Sequence, residues 1–134
     1  GWLEGVGCRA VEPPVSTDAP TAALKTMRRV LRAGDDAAIA VDGPSGPAGV
    51  VRGGALWLAR MSGCPLVPTG FAARPSFRYP RWDRHLVPLP GATVAGVSGE
   101  PMFVDRSTDL DDALLAELAQ RLDEVAARAA LLIQ

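Results

Sequence analysis

The sequence predicts an α/β domain with a mainly parallel sheet flanked by helices, and three observations carry that expectation. The run Ala37-Ala38-Ile39-Ala40-Val41 is wholly apolar, as a strand buried on both faces of a parallel sheet would be. It stops at Asp42, which is followed by three glycines and two prolines up to Gly49. A carboxylate is thereby set at a strand's carboxyl end, where open α/β sheets hold ligands. Segments that read as strand, helix, strand, helix and strand then follow one another with short links, the rhythm of right-handed βαβ units.

Taken in order, Gly7 to Val11 reads as a short strand and Glu12-Pro13-Pro14-Val15-Ser16-Thr17-Asp18 as a loop. A helix follows, capped by Thr17 or Asp18, with Pro20 suited to its first turn. Leu24, Met27 and Leu31 recur on one face, and Gly34 stops the helix behind Arg28, Arg29 and Arg32. After the strand Ala37 to Val41 and its Gly/Pro loop, Gly53 to Met61 carries Leu56, Trp57 and Arg60 at helical spacing and ends at Gly63. Leu66 to Ala73 is the next strand, interrupted by Pro68. Arg74 to Gly91 breaks the rhythm with four prolines, and Ala92 to Gly99 alternates like one more strand. The last helix begins near Ser107 or Thr108, has an apolar stripe of Leu110, Leu114, Leu118, Leu122 and Val125, and places Asp109, Asp111 and Asp112 in its electropositive first turn.

Composition narrows the function classes. At 134 residues and 48% hydrophobic content the chain suits one domain spanning 1–134 with a substantial core. The first residue is Gly1 and the last lie within a helical pattern, so the domain is expected to be partial, lacking an N-terminal portion. Fourteen basic against fifteen acidic side chains, a net charge of −1, provide no global field for nucleic acid, and any phosphate recognition must be local. Cys8 and Cys64 lack metal-ligand spacing and read as small buried thiols in a reducing compartment. The apolar runs are shorter than the roughly 18 residues a spanning helix needs.

The loop after Val41 invites an anion because successive backbone N–H groups near a helix start can cradle one. Gly43, Gly46 and Gly49 are spaced by threes with no Lys-Ser or Lys-Thr behind them, so neither a P-loop nor G-x-G-x-x-G is present. A nucleophile elbow also fails, because Ser45-Gly46 is followed by Pro47 where G-x-S-x-G requires glycine. Ser45 is better read as a turn residue. The sole histidine, His85, lies in Trp82-Asp83-Arg84-His85-Leu86 just before a proline-rich stretch, a setting that favours a structural or surface role over general-base catalysis. Around it, Arg74, Arg78, Arg81 and Arg84 are interleaved with Phe77, Tyr79 and Trp82. Two readings fit that mixture: contact with a membrane headgroup layer or anionic ligand, and an excursion packed on the domain with arginines reaching to water.

Four segments in order resemble the lysophospholipid acyltransferase superfamily, in a bacterial branch with Asp-Gly-Pro where better-known members carry Glu-Gly-Thr. They are Ala40 to Pro47, Leu58 to Pro68, Trp82 to Pro90, and Gly99-Glu100-Pro101. The resemblance implies a glycerolipid-acyltransferase-like fold and transfer of a fatty acyl group from acyl-CoA or acyl carrier protein, as donor substrate, to the hydroxyl of a lysophospholipid or related lipid, with no bound cofactor or metal. It assigns Asp42, Gly43, Pro44, Ser45 and Gly46 to the acceptor site and Pro65 and Pro68 to the pocket wall. Arg78, Arg81 and Trp82 are the expected membrane or anion contacts, and a peripheral position on the cytoplasmic face of the inner membrane goes with them. The family's His-x-x-x-x-Asp pair is not in the sequence: His85 is followed five positions on by Pro90. Two explanations are open, an acyltransferase whose catalytic pair lies in the missing portion and a non-catalytic lipid- or anion-binding relative.

Overall fold

The computed structural model describes residues 5, 7–9, 19–43, 46–81 and 83–134. The chain divides into two compact units, Gly1–Ala38 and Ile39–Gln134. In the first unit the predicted helix forms as α1, Ala19–Arg32. Met27 is buried on the expected face, while Leu24 and Leu31 are half-buried. Its end follows the chemistry of the sequence. The Gly34 N–H donates to Leu31 and the Asp35 N–H to Val30, the two reversed bonds that satisfy the last carbonyls of a helix when a glycine takes a left-handed conformation, here at φ +91°. The predicted caps Thr17 and Asp18 lie outside the described residues. Gly7–Arg9 is irregular rather than a strand, and Cys8 is exposed and Cys64 half-buried, so the expectation of two buried thiols does not hold.

The second unit holds α2 (Gly54–Ser62), β1 (Thr69–Arg78), β2 (Leu86–Ser98) and α3 (Asp112–Leu131). Its sheet corrects the predicted fold class. Among the described residues there is one two-stranded sheet, and β1 pairs with β2 antiparallel from Thr69↔Ser98 to Arg78↔Leu86. The reason is connectivity. A parallel pair needs a crossover of about a dozen residues or more, whereas the strands here are joined by the short turn 79–85. The Arg74–Gly91 stretch, expected to interrupt a parallel sheet, is instead the outer half of this hairpin. Its prolines are accommodated because both strands are edges, and the ladder breaks between Arg74 and Ser76 at Pro75.

The second correction concerns Ala37 to Val41, which forms no strand. Among the described residues no neighbouring strand takes its backbone hydrogen bonds, and alanine contributes little to strand formation. Ala37, Ala38 and Ala40 are exposed, while Ile39 and Val41 pack on the core. The expected strand from Leu66 begins only at Thr69. Leu66 instead makes an isolated antiparallel bridge to Met102, with both N–H···O bonds at 2.8 Å.

The helices meet their predicted faces. Leu56 of α2 and Leu118 of α3 are the largest fully buried side chains, joined by Ala55, Ala59, Met102 and Val104 in the main core. Burying a leucine is worth about 2 kcal/mol, so each of these side chains anchors its helix in that core. Leu110, Leu114 and Leu122 close the stripe around it. The start of α3 comes later than Ser107: Asp111 is the cap, its Oδ1 accepting the Leu114 N–H at 2.9 Å. Further along, Val125 and Ala129 pack on Ala72, Ala95 and Val97 of the sheet. Helix and sheet come so close that a Cβ added to Gly70 would lie 2.5 Å from the Ala126 nitrogen.

Candidate functional site

The stretch after Val41 forms a closed loop. The Arg52 N–H donates to the Val41 carbonyl at 2.8 Å, joining its ends, and Val41 and Val51 pack on the main core at its neck. Within the loop, the Gly49 N–H donates to Asp42 Oδ2 at 3.3 Å and the Val50 N–H to the Pro47 carbonyl at 3.2 Å. Arg52 Nη2 donates to the Gly46 carbonyl. Gly43 has φ +63°, and a Cβ there would meet Arg52 Cδ at 3.0 Å. Glycine serves twice at this point: it permits the left-handed turn and lets the arginine stem lie across it.

Asp42 is half-buried, Gly46 buried and Arg52 exposed. Among the described residues no carboxylate pairs with Arg52, because the ion pairs are Arg9–Asp35 and Arg121–Glu117. The loop thus orders one carboxylate by a backbone donor and presents one guanidinium that keeps donors for an anion. Pro44 and Ser45, expected in the acceptor site, lie outside the described residues.

Pro65 and Pro68 flank the Leu66–Met102 bridge, and the Gly99 N–H donates to the Pro68 carbonyl at 2.8 Å. Two of the motif segments, Leu58 to Pro68 and Gly99-Glu100-Pro101, are thereby brought side by side. Pro65 is exposed, whereas Pro68 is buried and borders an open depression of about 350 Å³ beside Glu100, Glu117, Arg121 and Glu124. Arg121 is already held by Glu117 at 2.7 Å and Gln120 by Glu124 at 2.9 Å. Among the described residues no hydrogen bond joins this block to the Asp42 loop.

The third group lies at the end of the hairpin. Arg78 and Arg81 are exposed there, and Trp82 is outside the described residues. The Tyr79 N–H donates to the His85 carbonyl at 3.0 Å, closing the turn, and Arg84 takes φ +45° within it. His85 is exposed and far along the hairpin from the sheet's contact with α3, in accord with a surface role. Among the described residues no three His, Cys, Asp or Glu side chains are grouped to hold a metal ion, and no helix is long and apolar enough to cross a membrane.

The sequence reading passed over Arg52. Its only local signal is its place as the last side chain before the glycines that open α2; its reach back to Gly46 depends on the loop closing. It also passed over the cross-strand neighbours of the hairpin's aromatic residues, which follow from register.

No family model matches the chain, and no solved structure matches it. It is 26% identical over 96 residues to an uncharacterized protein of Rickettsia prowazekii (strain Madrid E). That alignment covers 72% of this chain and 44% of the relative, so the matched region is less than half of that protein's length.

Proposed function

We propose that this chain supplies the acceptor-binding part of an acyltransferase that moves a fatty acyl group from acyl-CoA or acyl carrier protein to the hydroxyl of a phosphate-bearing lysophospholipid or related lipid. The observation that carries the reading is the closed Asp42–Arg52 loop, in which Gly43 admits the Arg52 stem and the guanidinium projects without a carboxylate partner. An arginine fork suits a phosphate, and the bond from Arg52 Nη2 to the Gly46 carbonyl leaves further guanidinium donors to meet one. The four motif segments in order add to this reading and do not depend on a parallel sheet.

In the reaction the acceptor oxygen attacks the thioester carbonyl, the carbon–sulfur bond breaks, and the carrier thiol leaves with a proton. A base must take the hydroxyl proton. This sequence offers no His-x-x-x-x-Asp pair, and His85 stands in the hairpin turn. The role assigned to the chain itself is therefore binding and orientation. That same observation favours the second reading, a non-catalytic lipid- or anion-binding relative.

Calorimetric titration of the chain with a short-chain lysophosphatidic acid below its micelle concentration tests the reading. Saturable binding is expected, weakened about tenfold by Arg52→Ala, the loss of one charge-assisted bond, and only partly restored in Arg52→Lys, which keeps the charge without the fork. Absence of binding, or equal affinity in Arg52→Ala, overturns it.

A further inference from the structure

The outer half of the hairpin lies beyond the part of the sheet that packs on α3 and carries apolar residues of its own. Phe77 pairs across the strands with Val87, so both project from one face; Tyr79 follows the end of β1 with its ring against that of Phe77, and Leu89 lies two residues along β2, where the ladder is interrupted. Phe77, Val87, Tyr79 and Leu89 are exposed, at 49%, 37%, 51% and 43%, and the Phe77 and Tyr79 rings meet edge to face with centroids 6.2 Å apart.

Charge surrounds the patch. Within 74–91 there are four arginines and one carboxylate, although the whole chain has a net charge of −1. Asp83 is half-buried with its Oδ1 out of solvent, whereas Arg74, Arg78, Arg81 and Arg84 are exposed. Arg78 Nη1 reaches only the Arg84 carbonyl, at 3.4 Å, and no ion pair among the described residues engages these guanidinium groups. A local positive field on a chain of negative net charge selects for a negatively charged surface, and aromatic rings bordered by arginines match the depth profile of a headgroup layer.

We infer that the hairpin end, Ser76 to Leu89, docks on the surface of an anionic lipid bilayer, with Phe77, Tyr79, Val87 and Leu89 entering the headgroup boundary and Arg78 and Arg81 pairing with lipid phosphates. This rests on the hairpin alone and stands or falls independently of the Asp42 loop. Each arginine near such a surface adds about fivefold to partitioning, and the contribution falls with salt.

Co-sedimentation of the whole chain with vesicles of phosphatidylcholine alone, or mixed with phosphatidylglycerol, provides the test. Binding is expected to the mixed vesicles, to be reduced by salt, and to be weak on phosphatidylcholine alone. Arg78→Ala with Arg81→Ala should reduce it on the order of 25-fold, Arg78→Lys with Arg81→Lys should retain most of it, and Phe77→Ser should weaken it while leaving the circular dichroism spectrum unchanged. Equal binding to both vesicle types, or retention in the double alanine variant, overturns the inference. So does concentration-dependent self-association abolished by Phe77→Ser in a chain that ignores vesicles, because the patch then serves a second copy.

Discussion

Gly70 is the residue on which the contact between α3 and the sheet depends. Its place in β1 demands no unusual backbone angle; what it supplies is absence of volume, since a Cβ would lie 2.5 Å from the Ala126 nitrogen and 2.7 Å from the Val125 carbonyl carbon. Backbone cannot swing aside as a flexible side-chain end can. Gly70→Ala is therefore expected to destabilise the chain by about 2 kcal/mol, read as a lower denaturant midpoint with an unchanged slope. An unaltered midpoint would mean that helix and strand are not in contact there. Gly43 poses a different case, because the atoms it meets belong to the arginine stem, and its left-handed φ adds to the constraint. In the sequence both are only glycines. The Asp42-Gly43 turn was legible as a turn, but the partner that crosses it is nine residues away and became visible only once the loop closed.

At the level of elements, helices were more legible than strands for a physical reason. A helix satisfies its backbone from within, so periodicity, a cap and a terminating glycine suffice to locate it. Leu118 and Val125 are buried as the apolar stripe required, and Gly63 ends α2 with its N–H on the Ala59 carbonyl. The start of α3 was the imprecise part: several aspartates and hydroxyl residues compete there, and Asp111 is the one whose side chain reaches a helical N–H. Asp111→Ala should cost about 1 kcal/mol and accelerate hydrogen exchange at the Leu114 amide, while Asp111→Asn should restore most of it. Unchanged exchange in the alanine variant would exclude that cap. Strands satisfy their backbones from outside, and among the described residues the apolar run Ala37 to Val41 has no strand beside it. The four prolines of Arg74 to Gly91 break the sequence rhythm, yet edge positions tolerate them within strands.

At the scale of the whole molecule, the functional reading divides the work between separate places. The Asp42–Arg52 loop is assigned an acceptor phosphate, the hairpin end a lipid surface, and the sequence holds no His-x-x-x-x-Asp pair to remove the acceptor proton. The chain of 134 residues alone is accordingly expected to release no thiol from acyl-CoA and to form no acylated lipid above a buffer control. Turnover above that control would require a base other than a His-x-x-x-x-Asp pair. The sequence by itself determined the three helices of the described residues, the turn at Asp42 and the concentration of arginine and aromatic residues around His85, because each rests on neighbours within a few positions. Only the tertiary structure decided that the sheet is antiparallel, that Ala37 to Val41 is not a strand, that Arg52 belongs to the Asp42 loop, and that Phe77 and Val87 share one exposed face. Those outcomes depend on which backbone groups find partners across the chain, and strand pairing is set by register and connection rather than by the composition of either strand.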